Sequence, residues 1–161
     1  MAIPLTITGN TFQYPTSGDD PGWGADATDW AAAITDVLNT IISANDIITT
    51  SYIINNNVSV VTDVNRLFFD PSSVRAANIT YSIYRISTAS PSGNTETGTI
   101  YLTFDNSAAV NNKWLLGQQK VGDAGVSFSI TDAGQVQYKS TDINTTGYSG
   151  TIKFNAKTLG Q

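Results

Sequence analysis

The sequence predicts a mostly β protein: an antiparallel β-sandwich or jelly-roll-like domain, preceded by an extended N-terminal arm and one α-helix. From residue 47 onward, apolar and polar residues alternate with a period of two. Short turns rich in Asn, Asp and Gly recur there about every ten residues, as in antiparallel sandwiches and barrels. Before residue 47, a stretch rich in Pro and Gly leads into a single run with helical spacing. The length of 161 residues suits one domain built on one core.

Residues 1–25 are predicted to form the extended arm. Ile3, Leu5 and Ile7 alternate with polar residues and favour a short strand, which Gly9-Asn10 then breaks. Several helix- and strand-breaking residues follow: Pro15, Gly18, Pro21, Gly22 and Gly24. They argue against a continuous helix or a central strand in this segment.

Residues 26–46 are predicted to form an amphipathic helix. Asp26 or Thr28 is a candidate N-cap, because a short polar side chain can accept bonds from the first free backbone N–H groups. One apolar stripe follows at helical spacing: Trp30, Ile34, Val37, Leu38, Ile41 and Ile42. Asn45-Asp46 is the predicted end of the helix.

Residues 47–161 are predicted to form one antiparallel β-domain. The longest strand candidate is ANITYSIYRIS, in which Ile79, Tyr81 and Ile83 share one face. The segment SPSGNTET that follows it is predicted to be a loop, because it is rich in turn-forming residues. Shorter alternating segments complete the domain: IITTSYIIN, VSVV, GTIYLTF, KWLLGQQ, VSFSIT, QVQYKS and GTIKFNAKTL.

Composition and charge argue against several function classes. The net charge is −5 and no basic stripe is present, so we expect no nucleic-acid partner. The chain has no Cys and no His, which excludes a thiolate nucleophile, a Ser-His-Asp triad and the commonest transition-metal ligands. No stretch approaches the roughly 18 apolar residues of a membrane span, and the N-terminus lacks the basic region of a signal peptide. We therefore expect no cofactor, no membrane partner and no cleaved leader.

An acidic group near the N-terminus consists of Asp19, Asp20, Asp26 and Asp29. Such carboxylates could bind Ca²⁺ or cleave a glycosidic bond. Their spacing matches no EF-hand loop, and a glycosidase pair cannot be recognised from spacing. We favour the interpretation that these aspartates form turns and cap the helix, because aspartate is common at both places. No catalytic or metal-binding residue is assigned.

The aromatic residues of the N-terminal segment are the candidate partner interface: Phe12, Tyr14, Trp23 and Trp30. Trp30 lies on the apolar stripe of the helix and is favoured as a core residue. The other three either pack on their own domain or anchor in a partner's groove, as aromatic hot spots do. A second aromatic set could form a carbohydrate-binding platform, although ordinary cross-strand pairing is favoured for it. This set comprises Tyr81, Tyr84, Tyr101, Trp114, Tyr138 and Tyr148.

Three segments resemble parts of structural proteins of tailed bacteriophages. The C-terminal run GDAGVSFSITDAGQVQYKSTDINTTGYSGTIKFNAKTLGQ resembles a module that closes such proteins. The segment YPTSGDDPGWGADATDWAAAITDVLNTI is similar to the leading segment of the same proteins, and ETGTIYLTFD also fits. These proteins are often called fibre, decoration or generic virion proteins. The resemblance covers most of the chain and carries over no catalytic residue.

The resemblance implies a non-enzymatic virion protein that is assembled in the host cytoplasm. A compact sandwich with an arm suits a capsid decoration or cement protein, which would bind the major capsid protein or another virion protein. A homotrimer at threefold positions is the favoured oligomer, because closed symmetry is common. The alternative is a head-fibre, collar or tail-attached adaptor protein that binds a glycan or another part of the host surface.

Overall fold

In a computed structural model, the described residues form a mostly β protein with antiparallel sheets and one helix, as the sequence predicts. The structure describes the backbone of residues 3–7, 10–14, 23–41 and 45–160, and the side chains of residues 27–36 and 45–160. The chain divides into two compact units, Met1–Ala44 and Asn45–Gln161. The predicted sandwich and the segment that precedes it therefore belong to different units.

The N-terminal unit contains two paired strands where an extended arm was predicted. Strand β1 (Ile3–Ile7) pairs antiparallel with β2 (Asn10–Tyr14), so that Ile7 lies opposite Asn10. The alternation predicted β1, but the Gly9-Asn10 pair was interpreted as a break without a second strand. Only two residues separate β1 from β2, and short connections that contain glycine commonly join antiparallel strands.

Helix α1 spans Trp23–Ile41, so it begins and ends earlier than the predicted range 26–46. Gly24 in its first turn did not prevent an earlier start, because glycine costs a helix only about 1 kcal/mol. The predicted end falls in the second unit, where Asp46 is held by strand residues instead. Its carboxylate accepts hydrogen bonds from the Lys157 side chain at 2.8 Å and from the Thr158 N–H at 2.7 Å. Within α1, Trp30 and Ile34 of the predicted stripe are half-buried.

The second unit consists of two antiparallel sheets. Its strands are, in chain order, β3 (Ile47–Ile53), β4 (Val58–Phe68), β5 (Val74–Ser87), β6 (Ser90–Phe104), β7 (Trp114–Gly122), β8 (Val126–Ile130), β9 (Gln135–Ser140) and β10 (Ser149–Gly160). A five-stranded sheet has the order β3-β10-β5-β6-β7, and a three-stranded sheet has the order β4-β9-β8.

The two sheets pack face to face around one apolar core, which makes this unit a β-sandwich. Aromatic rings meet across the two sheets. The Tyr52 and Tyr138 ring centroids are 6.2 Å apart, and those of Tyr81 and Phe128 are 5.4 Å apart. Along β5 and β10, buried and exposed residues alternate, as expected for strands with one face in the core and one in solvent.

The predicted loop SPSGNTET is instead the first part of β6. Ser90 pairs with Ser87, and residues 94–97 continue the ladder against β5. The register shifts between these two points, close to Pro91 and to Gly93, whose φ is 73°. A bulge accommodates a proline and a positive-φ glycine inside a strand, which is why these residues did not end the pairing here.

Candidate functional site

The predicted partner-interface residues belong to the N-terminal unit. Phe12 and Tyr14 lie on β2, opposite Leu5 and Ile3 of β1, and Trp23 is the first residue of α1. The side chains of these three residues lie outside the described part of the chain. Trp30 is half-buried on α1. The role of this aromatic set in binding a partner stays a prediction.

The structure does not bring the N-terminal aspartates together within the described part of the chain. Asp29 is exposed on α1, while the side chains of Asp19, Asp20 and Asp26 lie outside the described residues. Among the residues that were described, no three His, Cys, Asp or Glu side chains are grouped as metal ligands. Within the same residues, no helix is long and apolar enough to cross a membrane.

The aromatic residues of the β-domain do not form one platform. Tyr81, Tyr138 and Trp114 are buried in the core. The exposed members are Tyr84 and Tyr101, which are 46% and 42% exposed. Strand alternation explains the split, since neighbouring positions on a strand point to opposite faces. The whole set therefore does not form one carbohydrate-binding surface.

A buried carboxylate lies on β6, where Glu96 is 1% exposed. Its Oε1 atom accepts hydrogen bonds from the Tyr81 hydroxyl at 2.7 Å and from Gln118 Nε2 at 3.3 Å. Its Oε2 atom accepts hydrogen bonds from Lys120 Nζ at 2.9 Å and from the Ala124 N–H at 3.1 Å. The bond to Glu96 raises the pKa of Lys120, while burial, followed by the bond to Glu96, raises the pKa of Tyr81. Each oxygen of the Glu96 carboxylate therefore accepts two hydrogen bonds from groups of the protein, as a buried charge requires.

A buried guanidinium lies on the neighbouring strand β5, where Arg85 is 0% exposed. Its Nη2 atom donates to the Thr141 carbonyl at 2.6 Å and to Asn56 Oδ1 at 3.0 Å. Its Nη1 atom donates to the Ala124 carbonyl at 2.5 Å, and its Nε atom donates to the Tyr148 hydroxyl at 3.1 Å. These acceptors are neutral carbonyl, amide and hydroxyl groups. They satisfy the donors of a charge that would otherwise be costly to bury.

The Gly-Asp-Ala-Gly turn, Gly122–Gly125, joins the two sheets and is held by both buried charges. It connects β7 of the five-stranded sheet to β8 of the three-stranded sheet. The Ala124 N–H donates to Glu96, and the Ala124 carbonyl accepts from Arg85. The first and last residues of the turn have φ values of 82° and 64°, which glycine adopts without strain. This motif of the phage resemblance therefore has a structural role in the sandwich.

The strand positions on the outer face of the five-stranded sheet carry no carboxylate. This outer face comprises the even positions 78–84 of β5 and the odd positions 49–53 of β3, 95–103 of β6, 115–121 of β7 and 151–157 of β10. Thr is its commonest residue, and it also carries Ser, Asn, Gln, Tyr, two lysines and the exposed apolar residues Ile53, Leu115 and Val121, with no Asp or Glu at these positions. One of the two lysines, Lys157, is paired with Asp46 at 2.8 Å, so Lys153 is the lysine of this hydroxyl-rich surface that has no ion pair among the described residues.

A shallow depression of about 340 Å³ lies on this outer face. Thr80 and Thr99, which are directly paired across β5 and β6, line it together with Thr97 and Gln119. Beside it, the Tyr101 hydroxyl donates to Gln119 Oε1 at 3.3 Å. An exposed aromatic ring is thus held next to several hydroxyl and amide groups.

A second depression, of about 580 Å³, lies where the β4–β5, β6–β7 and β8–β9 connections meet. Asp132 is its acidic residue, and its two oxygens accept from the Asn111 N–H at 2.6 Å and the Lys113 N–H at 3.1 Å. Asp132 therefore anchors the β6–β7 connection. The buried Trp114 indole N–H has no acceptor among the described residues, and the centroid of its ring lies 5.0 Å from that of Phe104, which lines the depression.

Comparison with solved structures finds a likeness to two phage tailspikes. The chain is 16% identical to the tailspike protein of Acinetobacter phage vB_ApiP_P1, with a TM-score of 0.40, over 70% of this chain and 21% of the tailspike. It is 15% identical to tailspike protein gp49 of Acinetobacter baumannii bacteriophage Fri1, a capsular polysaccharide depolymerase, with a TM-score of 0.41, over 74% of this chain and 20% of the tailspike. The chain thus spans about a fifth of the length of either tailspike. No family model and no curated protein matches it.

Sequence reasoning missed the two buried charges, although a signal for them was present. Arg85 follows Ile83 by two positions on β5, and Glu96 precedes Ile100 by four positions on β6. Both charged residues therefore lie at inward-facing strand positions. A charged residue at an inward strand position predicts a buried polar cluster, because such a group is buried only with partners. Their partners include Ala124 of the β7–β8 turn, and Thr141 and Tyr148 after β9, which alternation does not identify.

Proposed function

We propose that this chain is a non-enzymatic structural protein of a bacteriophage virion, and that it acts as a capsid decoration or cement protein. The resemblance of three sequence segments to phage structural proteins supports this function. The observation that carries it is the organisation of the chain into a compact sandwich and a separate N-terminal unit. The buried Glu96 and Arg85 support the non-enzymatic part of the proposal, since both are occupied by internal hydrogen bonds.

The N-terminal unit is the proposed attachment element, and the major capsid protein or another virion protein is its partner. Phe12, Tyr14, Trp23 and Trp30 are the proposed contact residues, because large aromatic side chains dominate many interfaces. A homotrimer is the proposed oligomer, with the sandwiches arranged around threefold positions of the shell.

The copy number of the chain in purified virions tests this proposal. A decoration protein is expected in numbers of the same order as the shell protein, which quantitative mass spectrometry of purified particles measures. The major capsid protein in the same sample is the internal standard. A few copies per particle would contradict a decoration role.

A head-fibre, collar or tail-attached adaptor protein is the second candidate. The hydroxyl-rich outer face with Lys153 favours it, because an adaptor turns its sandwich away from the virion and towards other surfaces. In this case a low copy number is expected, and labelling by antibody is expected at one vertex or on the tail. Labelling spread over the whole head would contradict it.

A further inference from the structure

We propose that the outer face of the five-stranded sheet binds an acidic polysaccharide chain. This inference deepens the adaptor candidate by naming a ligand class, and it rests on that candidate only for its biological setting. The binding itself is a property of the purified chain.

Charge is the first argument for an acidic ligand. Lys153 is exposed at the middle of the outer face, and no ion pair to it occurs among the described residues. In register, Lys153 lies beside Ser82 of β5, which in turn lies beside Thr97 of β6. Asp46, the acid at the edge of this face, is paired with Lys157, so it does not compete with a ligand carboxylate for the Lys153 ammonium group.

The arrangement of aromatic and hydroxyl groups is the second argument. Tyr84 lies beside Thr95, and Tyr101 is six positions further along β6, so the two exposed rings are roughly 20 Å apart along the strands. The Lys153 row and the Thr80–Thr99 pair lie between them. The outer face therefore presents an aromatic ring at each end and hydroxyl groups with the Lys153 ammonium group between them. This arrangement suits an extended chain of sugars.

The same composition disfavours a protein partner. The centres of protein interfaces are enriched in aromatic residues, Met and Arg, and depleted in Lys and Ser. Hot spots are likewise poor in Thr and Ser. The middle of the outer face, on β10, β5 and β6, has the opposite composition, with Thr80, Ser82, Thr97, Thr99 and Lys153. The exposed apolar residues of this face, Ile53, Leu115 and Val121, lie on the edge strands β3 and β7. Hydroxyl side chains on a rigid sheet instead match the many donors and acceptors of a saccharide.

An array of bacterial capsular and O-antigen polysaccharides, with uronic-acid-containing and neutral members, tests the proposal on the full-length chain. We expect binding to acidic members that weakens as NaCl rises from about 50 to about 300 mM, because exposed charges are screened by salt. Lys153→Glu and Tyr101→Ala are each expected to weaken this binding at least tenfold. Both substitutions are at exposed positions, and circular dichroism is expected to show an unchanged fold.

Two matched variants on the three-stranded sheet are the controls. Lys139→Glu makes the same charge change at an exposed position of β9, and Phe68→Ala removes an exposed ring from β4. Both are expected to keep the affinity within about twofold, since a surface change away from a site has little effect.

Three outcomes would overturn the inference. They are the absence of binding to every acidic polysaccharide, equal losses in Lys139→Glu and Lys153→Glu, and binding of purified shell protein through Lys153 without any glycan binding. The copy number in virions does not enter this experiment. A failure of the glycan site is therefore distinguishable from a failure of the decoration or adaptor function.

Discussion

At the scale of single residues, Gly134 and Gly117 show why glycines in one sequence are not equivalent. Gly134 closes the β8–β9 turn with φ 92°, and its carbonyl accepts the Phe69 N–H at 3.0 Å. A Cβ at Gly134 would collide with the Phe69 carbonyl oxygen. Gly117 on β7 has open space around the position of a Cβ. The sequence predicted the turn at Gly134, but the close approach of Phe69 depends on the tertiary structure.

Gly134→Ala is expected to lower the free energy of unfolding by at least about 2 kcal/mol, because the strained backbone and the collision add up. Gly117→Ala is the matched control and is expected to change it by less than about 1 kcal/mol. Urea denaturation followed by tryptophan fluorescence measures both. Equal stabilities of the two variants would contradict the explanation for Gly134.

At the scale of elements, the β7–β8 turn joins the two sheets and is bonded to both buried charges. Its central peptide unit, that of Ala124, is bonded to Glu96 on one side and to Arg85 on the other. The predicted alternation correctly placed Tyr81 and Ile83 in the core. It could not identify the partners of Arg85, because two of them lie 39 and 56 residues away along the chain.

Arg85→Met is expected to lower the free energy of unfolding by about 3 kcal/mol, because it leaves several buried carbonyl groups without a donor. Arg75→Met, at an exposed position of the same strand, is the matched control and is expected to stay within about 0.5 kcal/mol. Chemical denaturation measures the difference. A loss in Arg75→Met as large as that in Arg85→Met would show that the buried hydrogen bonds are not its cause.

At the scale of the whole molecule, the sandwich has the features of an independent folding unit. Among the described residues, the fully buried apolar side chains all lie between Ile54 and Ala156. The first unit contains its own strand pair and helix. The sequence predicted a β-domain that begins at residue 47, and the structural division falls between residues 44 and 45.

The chain shortened to residues 45–161 is expected to keep a cooperative thermal transition and the far-ultraviolet circular dichroism of a β protein, because its core is complete. It is also expected to lose binding to virions, since the proposed attachment unit is gone. A shorter chain that begins at residue 54 is the control, because it lacks β3 and uncovers β10. Unfolding of the 45–161 chain, or virion binding as strong as that of the full chain, would contradict the respective expectation.

The sequence by itself determined the class of this protein: antiparallel strands, one helix and turns of Asn, Asp and Gly. Period-two alternation and turn preferences are local properties, so they can be read without the fold. Only the tertiary structure decided that Glu96 and Arg85 are buried around the Gly122–Gly125 turn, and that Tyr84 and Tyr101 share the outer face with Lys153. These features arise from the register between strands that are distant along the chain, and local patterns do not specify that register.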